Sequence, residues 1–234
     1  MTEIRPLPFL SVILPAYDEA ENIGATLARA HATLAPLFER FEIIVVDDGS
    51  EDATPQKAIE AIGQAPEARL LRHEGRRGYG AALKTGIREA RGEWIFFTDA
   101  DGQFDFADFP ALLEWIDRYD IVAGYRSPRR DPPGRALLAW GWALLARWIL
   151  GLRFRDINCA FKLFHRRVFD SVPIESVGAF VNTEILVRAR KAGFTWRQVP
   201  VSHYPRRHGR QTGARPRTLI LAWKELWRFR RSWR

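Results

Sequence analysis

Three short runs of nearly uninterrupted apolar residues punctuate the first half of this chain, at 9–15, 41–46 and 94–98, and each stops at a turn. A strand wetted on one face alternates apolar and polar residues. A strand apolar at almost every position is what a parallel strand covered on both faces shows. Shorter strand-like stretches follow the same rhythm at 69–72 and 120–124, and segments of helical pattern intervene at 18–37, 53–62, 81–90 and 106–119. This alternation predicts an α/β chain with a mostly parallel, doubly wound sheet flanked by helices. Such sheets bind ligands at the carboxyl ends of their strands. The chemistry is therefore expected where these runs stop.

The residues found there are polar and acidic. The first run ends in Pro15-Ala16-Tyr17, followed by acids from Asp18 onward that suit the first turn of a helix. The second ends in Asp47-Asp48-Gly49-Ser50. A carboxylate at such a point accepts hydrogen bonds from a ribose or base edge, or caps the next helix. The third ends in Asp99-Ala100-Asp101-Gly102, with Gln103 beyond it. Two carboxylates one residue apart repel unless protons or a cation neutralise them. Mg²⁺ or Mn²⁺ prefers oxygen ligands and bridges carboxylates to phosphates. Alone, such a triplet is better read as a solvated acidic turn. Gly78-Tyr79-Gly80 reads as a tight turn before a helix, because it lacks the spacing of the phosphate-binding glycine motifs.

Taken together and in this order, three segments carry a resemblance. They are Val12-Ile13-Leu14-Pro15-Ala16-Tyr17-Asp18-Glu19, Val45-Val46-Asp47-Asp48-Gly49-Ser50 and Asp99-Ala100-Asp101-Gly102-Gln103. The chain resembles the family 2 glycosyltransferases of GT-A (nucleotide-diphospho-sugar transferase) fold, in particular those acting on dolichyl and polyprenyl phosphates. The match covers residues 9–126, with looser matches at 156–162 and at 199–201 leading into Arg206. It implies that Pro15, Tyr17, Glu19, Val46 and Asp48 line a nucleoside site, with Ala100 also at the donor. It implies that Asp99, Asp101 and Gln103 surround Mg²⁺ or Mn²⁺ and a diphosphate. Arg126 and Arg206 would contact phosphate, and Asp101, Arg126 and Arg206 would carry catalysis. The implied reaction is inverting transfer from a GDP-mannose or UDP-glucose type of donor to a polyprenyl or dolichyl phosphate. A hydroxyl acceptor is the alternative; it would need a base, for which Asp156 and Glu184 are candidates, although a polar helix position or an arginine partner explains Glu184 better.

The second half is less regular. Residues 127–134 and 203–217 are basic loops, the latter expected to be mobile and to close over phosphates. Residues 182–193 look helical and 196–201 strand-like. Residues 137–152 are apolar and Trp-rich, and 218–234 form a Trp- and Arg-rich helical tail. The expected layout is a GT-A domain over 1–217, with a donor half at 9–126 and an acceptor-side half at 127–217, then an amphipathic tail over 218–234. The net charge of +8 and pI near 10.1 attract polyanions of any kind. Trp and Arg together favour a bilayer interface, which both apolar segments could lie on without spanning it. The expectation is a cytoplasmic enzyme, peripheral on the cytoplasmic membrane face, with a membrane-spanning partner protein where it needs one. A nucleic-acid-binding protein is the competing class; acidic strand ends argue against it, and no nucleic acid is expected as a partner. Cys159 reads as a small packed residue. His203 and His208 lack companion ligands at a zinc spacing.

Overall fold

The structure, a computed structural model, describes residues 7–128, 133–206, 208–209 and 216–232. The expected basic loops at 127–134 and 203–217 fall in part on the remaining stretches, 129–132, 207 and 210–215, and lie, to that extent, outside the described residues.

Seven strands form one sheet: β1 (Leu10–Ala16), β2 (Phe41–Asp47), β3 (Ala68–Arg72), β4 (Trp94–Phe97), β5 (Ile121–Arg126), β6 (Lys162–His165) and β7 (Trp196–Val201). Their spatial order is β3-β2-β1-β4-β6-β5-β7. The first four are mutually parallel, β6 is antiparallel to both β4 and β5, and β7 is parallel to β5. The sheet is thus mostly parallel, as the apolar runs require, with one reversed strand.

Side chains of alternate residues face opposite sides of a strand, and this divides the core in two. Val12, Leu14, Ile43, Val45 and Phe96 face the layer of α1 (Ile23–Leu34) and α2 (Thr54–Ile62). Ile13, Ile44, Val46, Ile95 and Phe97 face α3 (Tyr79–Glu89) and the helices of the second half. Both sets are essentially inaccessible to water.

Three elements differ from the sequence reading. The helix expected at 106–119 breaks into a 3₁₀ turn, Phe106–Asp108, and a single-turn helix α4, Pro110–Leu113. Pro110 has no N–H to continue the first turn and starts a new one instead. The helix expected from residue 18 begins at Ile23. The loop before it is fixed by outside partners: the amide of Glu19 donates to Thr54 Oγ1 (2.7 Å), and that of Asp18, at φ 54°, to Ser50 Oγ (3.0 Å). The reversed strand β6 and the short helix α6 (Arg166–Ser171) had no periodic signal.

In the second half, α5 (Pro133–Leu150), α7 (Val181–Lys191) and α8 (Pro216–Ser232) are joined through Phe180. Its ring meets Trp142 edge-on from α5 (6.1 Å) and Phe229 from α8 (5.4 Å). The Trp142 indole N–H donates to Thr183 Oγ1 (3.1 Å). Ala222, Leu226 and Phe229 form the buried face of α8, while Ile220, Trp223 and Trp227 stand exposed opposite it. Among the described residues no helix is long and apolar enough to cross a membrane.

Candidate active site

The carboxyl ends of β1, β2 and β4 converge on one edge of the sheet, and the polar residues that follow them form the candidate site. Asp99 and Asp101 leave β4 in a turn completed by Gly102 at φ 71°. Burial, and then the charge of Asp101, push the Asp99 carboxyl up to about 7; a hydrogen bond from Tyr79 opposes this. Tyr79 itself is raised well above its ordinary value by burial and by Asp99. Two neighbouring carboxylates that resist simultaneous ionisation form a hard-oxygen donor pair. Mg²⁺ or Mn²⁺ would suit such oxygen donors, and Asp99 and Asp101 are the residues that could hold one. Among the described residues no third acid, histidine or cysteine joins them in one cluster. The Gln103 side-chain amide donates to Tyr204 O (2.9 Å), which pins the later loop beside the turn.

Arg206 lies across this acidic corner. Its guanidinium meets Glu19 Oε1 at 2.6 Å and approaches Asp101 Oδ2 at 3.7 Å, and its Nε donates to His208 O (2.6 Å). Glu19 is held from the other side by the Asn22 amide (2.7 Å), and burial raises its carboxyl. Residues far apart in sequence, Glu19, Asp101 and Arg206, are therefore brought together. Tyr17, partly exposed, has the Arg76 guanidinium over its ring at 4.0 Å.

Asp48 is nearby but fully engaged. It accepts the amides of Arg77 (2.9 Å) and Gly78 (2.8 Å) and pairs with His73 Nδ1 (2.8 Å), whose other nitrogen meets Thr85 Oγ1. Its carboxylate fastens the glycine loop to β2. Val46 and Ala100 are core residues with almost no exposure; only their backbones reach the site, and the Ala100 carbonyl is taken by Thr26 Oγ1 (3.1 Å). Pro15 is likewise buried at the end of β1.

Arg126, at the end of β5, is buried in a two-pronged pair with Asp156: Nε to Oδ2 at 2.6 Å and Nη2 to Oδ1 at 2.9 Å. Asp156 thus faces a permanent cation. Glu184 is fully buried, accepting the amides of Glu175 and Ser176 and pairing with Arg188 (3.0 Å). Neither candidate base is placed to take a proton from an incoming group. Beneath them Lys162 is fully buried, donating to the carbonyls of Ile157 (3.0 Å) and Cys159 and to Asn182 Oδ1 (3.2 Å). Burial lowers its ammonium to about 8, against the pull of nearby acids. Cys159 is packed as expected, its thiol pushed up to about 12 by burial. Sequence reasoning missed His73 and Asn182; neither belongs to a local pattern, and each earns its place only through contacts distant in sequence.

Comparison with known proteins places this geometry in context. The model of glycosyl transferase family 2 matches residues 11–178. Glycosyltransferase AglD of Haloferax volcanii is 33% identical over 207 residues, covering 84% of this chain and 33% of that protein. The dolichyl-phosphate beta-glucosyltransferase of Dictyostelium discoideum is 33% identical over 217 residues, covering 83% of this chain and 66% of that protein. The chain therefore spans between a third and two thirds of these relatives. Among solved structures, glucosyl-3-phosphoglycerate synthase of Mycobacterium tuberculosis in complex with Mn²⁺, uridine diphosphate and glucosyl-3-phosphoglycerate superposes with a TM-score of 0.67. The two are 23% identical, and the match covers 96% of this chain and 76% of that one. At that identity the likeness concerns the fold.

Proposed function

The chain belongs to glycosyl transferase family 2 and has its GT-A fold, and from that membership we propose that it moves a sugar from a nucleotide-diphospho-sugar to a polyprenyl phosphate at a membrane surface. The observation that carries this reading is the acidic corner bridged by Arg206. A cation already seated against Glu19 and Asp101 is poised to exchange those carboxylates for phosphate oxygens. The name of the Dictyostelium relative supports the acceptor class.

On this reading residues 9–126 form the donor half, 127–217 the acceptor side and 218–234 an interfacial tail. Pro15, Tyr17, Glu19 and Asp48 shape the nucleoside site, with Val46 and Ala100 contributing backbone only. Asp99 and Asp101 would hold Mg²⁺ or Mn²⁺, with Gln103 alongside. Such an ion, when bound, supplies charge neutralisation for the departing diphosphate. An acceptor phosphate oxygen forms the bond to the anomeric carbon as the bond from that carbon to the diphosphate oxygen breaks, the electron pair leaving with the nucleoside diphosphate. Arg206 and Arg126 hold phosphate charge during transfer. A phosphate acceptor is already ionised and needs no base. The engagement of Asp156 by Arg126 and the burial of Glu184 therefore favour it over a hydroxyl acceptor. The exposed Trp faces of α5 and α8 would rest on the cytoplasmic face of a membrane, alone or beside a membrane-spanning partner.

The test is transfer of label from a panel of sugar nucleotides to short polyprenyl phosphate in detergent with Mn²⁺ or Mg²⁺. Labelled lipid, lost with Asp101→Ala or EDTA, is the expected result. Donor turnover without labelled lipid removes the acceptor, and retention of configuration at the anomeric carbon removes the single-displacement scheme.

A further inference from the structure

At the opposite end of the sheet lies a second basic feature that the transfer reaction does not use. Trp196 pairs with Ile121 where β7 and β5 begin, whereas Val201 and Arg126 pair where they end, beside the acidic corner. Five residues of strand separate the two levels, about 17 Å. Beside Trp196 a groove of about 730 Å³ opens between the last turns of α5 and α7. Leu144, Trp148 and Trp196 supply its apolar surface, and Arg147, Arg153 and Arg190 its charge.

Among the described residues the groove is lined by three guanidiniums and no carboxylate. Arg190 is fixed: it donates to Leu150 O (3.1 Å) and so caps the carbonyl end of α5. It can lie there because residue 151 is glycine at φ 65°, where a Cβ would collide with the guanidinium. Neither Arg147 nor Arg153 is paired with a carboxylate among the described residues. Trp148 is 81% exposed, and with Trp140 (63%) and Leu144 (40%) it makes a stripe at i, i+4 and i+8 along one side of α5. An apolar stripe that ends in arginines with no carboxylate partner among the described residues suits a ligand that is itself apolar along its length and anionic at its head.

We propose that this groove binds the phosphodiester headgroup of an anionic phospholipid, a non-reacting lipid distinct from the polyprenyl phosphate acceptor. Arg147 and Arg153 take the phosphate oxygens, which planar guanidinium geometry favours. Trp148 and Leu144 enter the boundary between headgroups and acyl chains, where indole rings partition. The contact fixes α5 along the bilayer plane with the acidic corner at the far end of the sheet. The site does not depend on which sugar or acceptor the enzyme uses.

The experiment is co-sedimentation of the full chain with vesicles of phosphatidylcholine alone or mixed with phosphatidylglycerol, alongside nucleoside-diphosphate binding with Mn²⁺ in solution. Wild type is expected to pellet with the mixed vesicles only. Arg147→Glu/Arg153→Glu should lose about tenfold or more of that binding while nucleotide binding and melting temperature stay unchanged; the paired lysine variant should retain most of it. Arg147→Gln/Arg153→Gln serves if the charge reversal does not fold. Three results overturn the proposal: reversed or neutralised arginines that bind mixed vesicles like wild type, displacement of the protein from vesicles by millimolar soluble glycerol phosphate, or arginine-dependent binding to a single-stranded oligonucleotide in place of vesicles. In the first case the membrane reading survives through α8; if wild type pellets with neither vesicle, that reading falls as well.

Discussion

Asp99 and the Arg126–Asp156 pair show how single groups set the behaviour of the site. An Asp99 carboxyl raised to about 7 keeps its proton in the folded, metal-free chain well above the pH at which the unfolded chain loses it. Its contribution to stability is therefore complete below about 4 and is lost as pH rises through about 7. A cation held by Asp99, as proposed, would displace that proton, so Mn²⁺ affinity should rise between pH 6 and pH 8, with proton release on binding, and Asp99→Asn should abolish both effects. Calorimetry in buffers of different ionisation enthalpy reads this directly. The buried Arg126–Asp156 pair makes a separate prediction. Asp156→Asn removes the charge that the buried Arg126 guanidinium pairs with and should cost about 3–5 kcal/mol, whereas Arg126→Met/Asp156→Leu should cost less than that single change. Denaturant titration of the set decides it. The acids at the strand ends were legible from sequence because three acidic or polar turns follow three apolar runs in a set order; any one of them alone reads as a solvated turn. Their partners were not, because Arg206 reaches Glu19 across 187 positions and His73 reaches Asp48 through a fold that had first to exist.

Between elements, the link that matters most runs from α8 to the glycine loop. Glu225 Oε1 on α8 accepts the amides of Val177 and Gly178, each at 2.9 Å. The Val177 carbonyl in turn accepts the amides of Gly80 (2.8 Å) and Ala81 (3.3 Å), and Asp48 holds the loop just before them. Glu225→Ala should accelerate amide exchange at Val177, Gly178 and Gly80 and weaken nucleotide binding, with little effect on exchange in β1 and β2; mass-resolved hydrogen exchange tests it. Gly80→Ala should be worse, since a Cβ there would lie 2.6 Å from Ser176 O and 2.9 Å from Gly178 O, both backbone atoms that cannot step aside. The strands and α2 were legible because their patterns are local. The split of 106–119 and the strand β6 were not. Pro110 is visible in the sequence, but what surrounds it decides whether a helix resumes, and a four-residue strand buried between two others has no period to read.

For the whole molecule, two chemically different edges define the orientation: an acidic corner closed by Arg206, and exposed Trp faces on α5 and α8. Trp223→Ala/Trp227→Ala should reduce transfer to membrane-embedded polyprenyl phosphate while leaving donor binding in solution intact, because both rings lie on the solvent side of α8, opposite Leu226 and Phe229. Assays with vesicle-borne and detergent-solubilised acceptor separate the two effects. Phe96, packed edge-on against Phe106, Phe109 and Phe161, ties the first half of the chain to the second; Phe96→Ala should cost about 3–5 kcal/mol by thermal or denaturant unfolding. The α/β class and the two-faced helices followed from pattern. The order in which the last three strands join the sheet did not, because strand order is settled by the long connections that patterns do not describe.

That order matters during synthesis. β4 is complete at Phe97, yet the strand that covers its outer edge begins only at Lys162. At roughly 5–20 residues per second a ribosome takes several seconds to bridge that gap. Throughout that interval the nascent chain holds a wholly apolar strand, Trp94–Phe97, paired with β1 on one side and open along its outer edge. A chain stalled at Arg126 should therefore engage holdase chaperones or aggregate, and one extended past His165 should be released from them. The reversed strand is the latch that lets the newborn protein leave the ribosome's company.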